Sequence, residues 1–116
     1  MEQVISKYVR DAQKFIFIIP EYNGSYPGIW KTFIDIVPPR YFKDKKAGII
    51  GVSSGHAGNL RGQEHLTGVL HYLKVHVHYN KPKLSGVESL VSADGALTDE
   101  RSVKVLREHA VAMANF

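Results

Sequence analysis

Apolar positions along the chain switch between two periods. Val4, Ile5, Tyr8, Val9 and Ala12 recur three and four residues apart, which predicts an amphipathic helix over residues 1–13. Phe15-Ile16-Phe17-Ile18-Ile19 is then an unbroken apolar run rich in β-branched and aromatic residues, the pattern of a strand buried on both faces in a parallel sheet. Ile29, Trp30, Phe33, Ile34 and Val37 return to helical spacing, and Pro38-Pro39 stops that helix because proline has no N–H and restricts the residue before it. Ala47 to Val52 predicts a second strand. Leu60, Leu66, Val69, Leu70 and Leu73 predict a third helix. Val75 to Tyr79 reads as a third strand, with Val75, Val77 and Tyr79 on one face and His76 and His78 on the other. Residues 81–95 are rich in turn formers and read as irregular. Thr98 is placed to cap a last helix with Asp99 and Glu100 in its first turn, and Val103, Leu106, Ala110 and Met113 form that helix's apolar stripe.

A helix followed by three strand–helix units predicts an α/β protein whose parallel sheet carries helices on its faces. At 116 residues the chain is expected to form one domain, residues 1–116. The absence of cysteine excludes disulfides and thiolate metal sites. No apolar run approaches the roughly 20 residues that span a bilayer, and the N-terminus lacks a signal-peptide stretch, so a cytoplasmic protein with no membrane partner is expected. The net charge is +4, with one tight cluster at Lys43, Lys45 and Lys46. That cluster reads as a solvated loop, with attraction of an anionic nucleotide as the functional alternative. No interleaving of basic and aromatic residues suggests a nucleic-acid partner.

In open α/β sheets ligands bind beyond the carboxyl ends of the strands. Two loops leave those ends with unusual composition: Pro20-Glu21-Tyr22-Asn23-Gly24-Ser25-Tyr26-Pro27, and Ser53-Ser54-Gly55-His56-Ala57-Gly58-Asn59. Their glycines let backbone N–H groups approach a ligand closely, Tyr22 offers a flat face and Asn23 both donors and acceptors. On composition alone, turn chemistry and helix capping explain these loops about as well.

The run Pro20-Glu21-Tyr22-Asn23-Gly24-Ser25, followed by Pro27-Gly28 and then Lys31, Phe33, Ile34 and Asp35, resembles the signature of the NADPH-dependent FMN reductase family, which includes quinone and azo reductases. Ser53, Gly55 and Gly58 ahead of Leu60-Arg61 resemble that family's second flavin loop, with His56 and Asn59 where many members have arginine and glycine. The likeness continues to Asp94-Gly95 and Thr98-Asp99. It implies a flavodoxin-like three-layer fold and an FMN-dependent NAD(P)H oxidoreductase that passes hydride through bound FMN to a small-molecule electron acceptor. Glu21, Tyr22, Asn23 and Gly24 would then contact the isoalloxazine ring, Ser53, Gly55 and His56 would border its pyrimidine end, and Pro20 and Gly58 would complete the cofactor-binding set. Catalysis would need no acid, base or nucleophile from the protein, since the hydride chemistry is the cofactor's.

The same resemblance implies an N-terminally truncated version of the fold. The family's first strand, its phosphate-wrapping loop of glycine, serine and arginine, the following helix and the second strand find no match here, which leaves three strands, the family's third to fifth. Phe15 to Ile19 would become an edge, a liability for pairing with another chain. The expectation is that a second subunit or the N-terminal helix covers it. A homo-oligomer is expected through this strand or through helices 29–37 and 60–73. The alternative to an enzyme is a non-enzymatic remnant that dimerises or docks without flavin.

Four further readings concern single residues. His76 and His78 share a strand face, but with no third ligand nearby no metal site is expected. His65 and His71 are six apart and do not share a helix face. Lys31 and Asp35 are spaced for a solvated i,i+4 pair. Trp30 is expected to pack beside Phe33 and Ile34.

Overall fold

The computed structural model describes residues 1–116. The chain opens with α1 (Glu2–Ile5), which widens into a π-helical turn over Ser6–Arg10, and continues through β1 (Lys14–Pro20), α2 (Gly28–Ile36), β2 (Lys46–Val52), α3 (Leu60–Tyr72), β3 (His76–Val77), β4 (Lys83–Leu84) and α4 (Glu100–Ala114). The first helical segment therefore ends at Arg10, three residues before the periodicity predicts.

β1 and β2 run parallel along their full length, from Lys14 opposite Lys46 to Pro20 opposite Val52. β3 and β4 both pair with the other side of β2, also in parallel. The single third strand expected at Val75 to Tyr79 is thus two short pieces, and the stretch read as irregular contributes β4. Lys46 is opposite His76 but Gly51 is opposite Lys83, so the chain uses two more residues than β2 over that span. The excess bulges out around Tyr79, which leaves the sheet and stacks on His78 with ring centroids 4.7 Å apart.

The layers follow from the pleat. Phe17 and Ile19 of β1 and Ala47 and Ile49 of β2 point to one face, where they pack against Ile5, Val9, Ile34, Leu66 and Leu70 of α1, α2 and α3 and their surroundings. Trp30 packs edge-on against Phe33 at 6.3 Å, as its spacing predicts, and against Phe17 of β1 at 5.1 Å. α4 lies alone on the opposite face, over β2. A single helix covers the central strand there but not the edge. Ile16 and Ile18, which share that face of β1, are 47% and 58% exposed. The strand predicted to be buried on both faces is buried on one. Nor does the N-terminal helix close the edge: it lies on the α2 face, where Ile5 and Val9 join the core, so within one chain the outer edge of β1 stays open.

The lysine cluster has a role that neither reading assigned. Lys45 is buried, and its ammonium donates to the carbonyls of Val9 and Arg10 at the end of the first helical segment. Lys46 donates to the carbonyl of Phe116, and Lys14 to those of Met113 and Ala114. These cations sit on helix C-termini, where orphan carbonyls and the macrodipole favour positive charge. Burial lowers the Lys45 pKa, against the opposing pull of Asp11. Lys31 and Asp35 form their surface pair at 3.0 Å. Asp99, and not Thr98, caps α4: its carboxylate accepts from the Ser102 N–H at 3.0 Å and the Ser102 hydroxyl at 2.7 Å, and these contacts lower its pKa.

His109 of α4 is buried against Gly48, with both ring nitrogens lacking a hydrogen-bond partner, and its ring meets His78 edge-on at 6.2 Å. Burial first, and the neighbouring His78 second, lower its pKa. A histidine whose pKa is lower in the folded chain than in the unfolded one makes stability rise with pH through the ordinary histidine range. Stability is therefore expected to hold above pH ~6.5 and to decline below it. Urea denaturation from pH 8 to pH 5 should show that decline in the native chain, and a reduced slope in His109→Leu.

Candidate functional site

Two loops emerge side by side because β1 and β2 end in register at Pro20 and Val52. The first continues the pairing by one bond, Glu21 N–H to Val52 C=O at 2.9 Å, and then folds back at once. Tyr22 and Ser25 exchange backbone hydrogen bonds of 2.9 and 3.2 Å around Asn23 and Gly24, whose φ values are 52° and 81°. That is the left-handed pair a tight type I′ turn requires, and Asn-Gly is the dipeptide best suited to it. Tyr22 is left 60% exposed. The N–H groups of Asn23 and Gly24 have no acceptor within the chain.

The second loop is organised from within by Ser53. Its hydroxyl donates to Gly55 C=O at 3.0 Å and accepts from Gly58 N–H at 2.9 Å, while its backbone bonds Leu84 and Val87. The neighbouring segment staples the loop from outside. Gly86 N–H donates to Gly55 C=O, the Ser85 hydroxyl donates to His56 C=O at 2.8 Å, and the Ser54 hydroxyl donates to the Glu88 carboxylate. The Ser54 hydroxyl, and then its own backbone N–H, lower the Glu88 pKa. The N–H groups of Ser54, Gly55, His56 and Ala57 remain without an acceptor, and a methyl added at Gly55 would meet nothing within 4 Å. Gly58 is tight: its φ is 58°, and an added Cβ would lie 2.5 Å from that of Lys83.

Asn59 joins the two loops. It is fully buried and left-handed at φ 62°, and its amide donates to the carbonyls of Ile19 and Pro20 at 3.3 and 2.9 Å. Its Oδ1 accepts from Gly62 N–H at 3.1 Å, capping α3. One side chain therefore sets the height of the first loop, the start of α3 and the end of the second loop. α3 also reaches the first loop directly: Ser25 Oγ and His65 Nδ1 are 2.7 Å apart, and Arg61 lies against Gly24.

All nine residues singled out in the sequence fall in or at the start of these two loops. Pro20 ends β1 and Glu21, Tyr22, Asn23 and Gly24 follow it in the first loop, while Ser53, Gly55, His56 and Gly58 lie in the second. The structure adds Asn59, His65, Arg61 and Glu88, none of which was assigned a role. The signal for Asn59 was present as its departure from the family's glycine; nothing in the sequence marked Glu88. His76 is exposed at the sheet edge, His78 packs against His109 and Phe116, and no group of three or more potential ligands is placed to hold a metal. No helix is long and apolar enough to cross a membrane. The largest cavity, about 650 Å³, lies away from the loops, between α1 and α2 over the start of β1. Val4, Tyr8, Phe15, Trp30 and Phe33 are among its mostly apolar lining, and Lys7 and Lys14 are its charged members.

A parallel sheet between helical layers, with two glycine-bearing loops meeting at the carboxyl ends of adjacent strands, defines a flavodoxin-like α/β protein. Residues 3–85 match the NADPH-dependent FMN reductase family, and the chain belongs to that family. It is 34% identical over 90% of its length to an NAD(P)H-dependent FMN reductase of Pseudomonas aeruginosa, and 33% identical over 96% to an NAD(P)H:quinone oxidoreductase of Solanum tuberosum. The chain spans 59% of each of these relatives. The Paracoccus denitrificans flavoenzyme FerB, an NAD(P)H:(acceptor) oxidoreductase, superposes with a TM-score of 0.83 at 28% identity, over 98% of this chain and 65% of FerB.

Proposed function

We propose that the chain serves an FMN-dependent NAD(P)H oxidoreductase that reduces a small-molecule acceptor of the quinone, azo or flavin type. The observation that carries this reading is the set of six N–H donors without an acceptor in the chain, on Asn23, Gly24 and Ser54 to Ala57, in two adjoining loops with an exposed Tyr22. Such donors suit the polar edge of a planar, electron-rich heterocycle, and the open space at Gly55 lets the backbone approach it. The residues present fit the ring end of FMN. Pro20 to Gly24 would hold one side of the ring, and Ser53, Gly55, His56 and Gly58 would shape the pyrimidine side. Ser53 would act by holding the loop's form, since its own polar groups are taken.

FMN, when bound, supplies hydride transfer between NAD(P)H and the acceptor. The chain's part is to bind, to orient and to place partial positive charge. The reductase names borne by the relatives support an enzyme over a non-enzymatic remnant. We include a homo-oligomer in the proposal, since Ile16 and Ile18 on the open edge, and Ile29, Ile36 and Tyr72 on α2 and α3, are exposed. Titration of FMN into the protein, followed by quenching of flavin fluorescence, should saturate in the micromolar range. No quenching at high protein concentration would overturn the reading for this chain.

A further inference from the structure

We propose that His65 is a positioning residue that sets where the Tyr22–Ser25 turn presents its N–H groups. The inference rests on the flavin reading above. The turn's backbone hydrogen bonds close only on themselves, Tyr22 with Ser25. A two-residue hairpin of this kind, without flanking strands of its own, has little intrinsic stability. Its one hydrogen bond to another part of the chain is Ser25 Oγ to His65 Nδ1, 2.7 Å long and reaching across 40 residues of sequence. The other end of that bond is firm. α3 is anchored by Gln63, Leu66, Thr67 and Leu70, all buried, and is capped by Asn59.

Arg61 stands one helical turn before His65 and lies against the residue before Ser25: a methyl at Gly24 would be 2.9 Å from its Nη1. α3 therefore holds the turn at both of its C-terminal residues, Gly24 by contact and Ser25 by a hydrogen bond. Asn23 and Gly24, whose N–H groups are unspent, lie directly before or within that grip. Removing the imidazole frees the turn to swing about Pro20 and Pro27 without disturbing the core, because His65 is exposed.

The test compares FMN titrations of the native chain, His65→Ala, Ser25→Ala, the double variant and His65→Asn, with thermal unfolding and amide exchange of each. His65→Ala and Ser25→Ala should each weaken FMN binding by about tenfold, the ordinary effect of one hydrogen bond. The double variant should be no weaker than either, as for partners in one contact. His65→Asn, whose amide can occupy the Nδ1 position, should recover most of the loss. Amide exchange at Tyr22 and Ser25 should quicken in His65→Ala with unfolding temperature unchanged. Variants that bind FMN like the native chain, losses that multiply in the double variant, or unchanged exchange would overturn the positioning role alone. A native chain that binds no FMN would overturn the flavin reading and this role with it.

Discussion

Gly51→Ala is expected to damage both the fold and the second loop. Gly51 lies in β2, the only strand paired on both sides, directly beneath the loop that follows it. A Cβ at this position would sit 2.1 Å from the Gly58 carbonyl oxygen and 2.9 Å from the Gln63 amide nitrogen. Neither neighbour yields easily. Gly58 is a backbone group held by Ser53 and crowded by Lys83, and Gln63 is fully buried with its amide on the carbonyls of Ile49 and Pro82. Overpacking of this kind costs about 1–3 kcal/mol where side chains can adjust, and a backbone obstacle puts Gly51→Ala at the upper end, about 3 kcal/mol. Urea denaturation should show a lower midpoint at an unchanged slope. Because relief requires Gly58 to move, the loop from Ser53 to Asn59 should shift as well, and FMN binding should weaken by more than tenfold. A variant within about 0.5 kcal/mol of the native chain would mean that the strand and loop are less closely apposed than the structure has them.

Asn59→Ala is expected to cost about as much for a different reason. Three losses coincide at one residue: the cap on α3, the donors to the Ile19 and Pro20 carbonyls, and a side chain that tolerates φ 62°. A lost cap costs about 1 kcal/mol, a buried acceptor left unpaired about 1–3, and alanine in the left-handed region about 1–2, which together span about 3–6 kcal/mol; a total at the lower end of that range is expected, since losses at one site are not fully additive. Asn59→Gly separates these contributions. It accepts the backbone conformation and loses only the hydrogen bonds, so it should recover about 1 kcal/mol of the deficit. Equal destabilisation by the two variants would show that the backbone conformation contributes nothing. Both should raise amide exchange at Glu21 and Tyr22, because the amide of Asn59 ties the carbonyl of Pro20 to α3.

The pairing of loops also explains how much of the site could be read in advance. Asn23-Gly24 announces a turn, and the resemblance assigns the nine loop residues, because both depend on local chemistry and on a motif contiguous in the chain. Asn59 and His65 act across 39 and 40 residues. Their partners are two backbone carbonyls and a serine hydroxyl, which carry no periodic or compositional mark. Glu88 reaches Ser54 across 34 residues in the same way.

The elements divide along similar lines. Hydrophobic spacing by itself determined α2, α3 and α4 nearly to the residue, and the parallel pairing of β1 with β2, since apolar stripes and proline stops are properties of neighbours in sequence. Only the tertiary structure decided which faces are covered. The apolar run of β1 reads as doubly buried, yet one helix is too narrow to shield both β2 and the edge, so Ile16 and Ile18 face solvent. It also decided the fate of the lysines, because a helix C-terminus exerts its pull through space on whichever cation the fold brings to it. It split the third strand around a bulge that no local propensity marks, and it buried His109 without a partner because α4 has only β2 and its flanks to pack against. Periodicity reports what a segment can bury; the number and placement of its neighbours determine what it does bury.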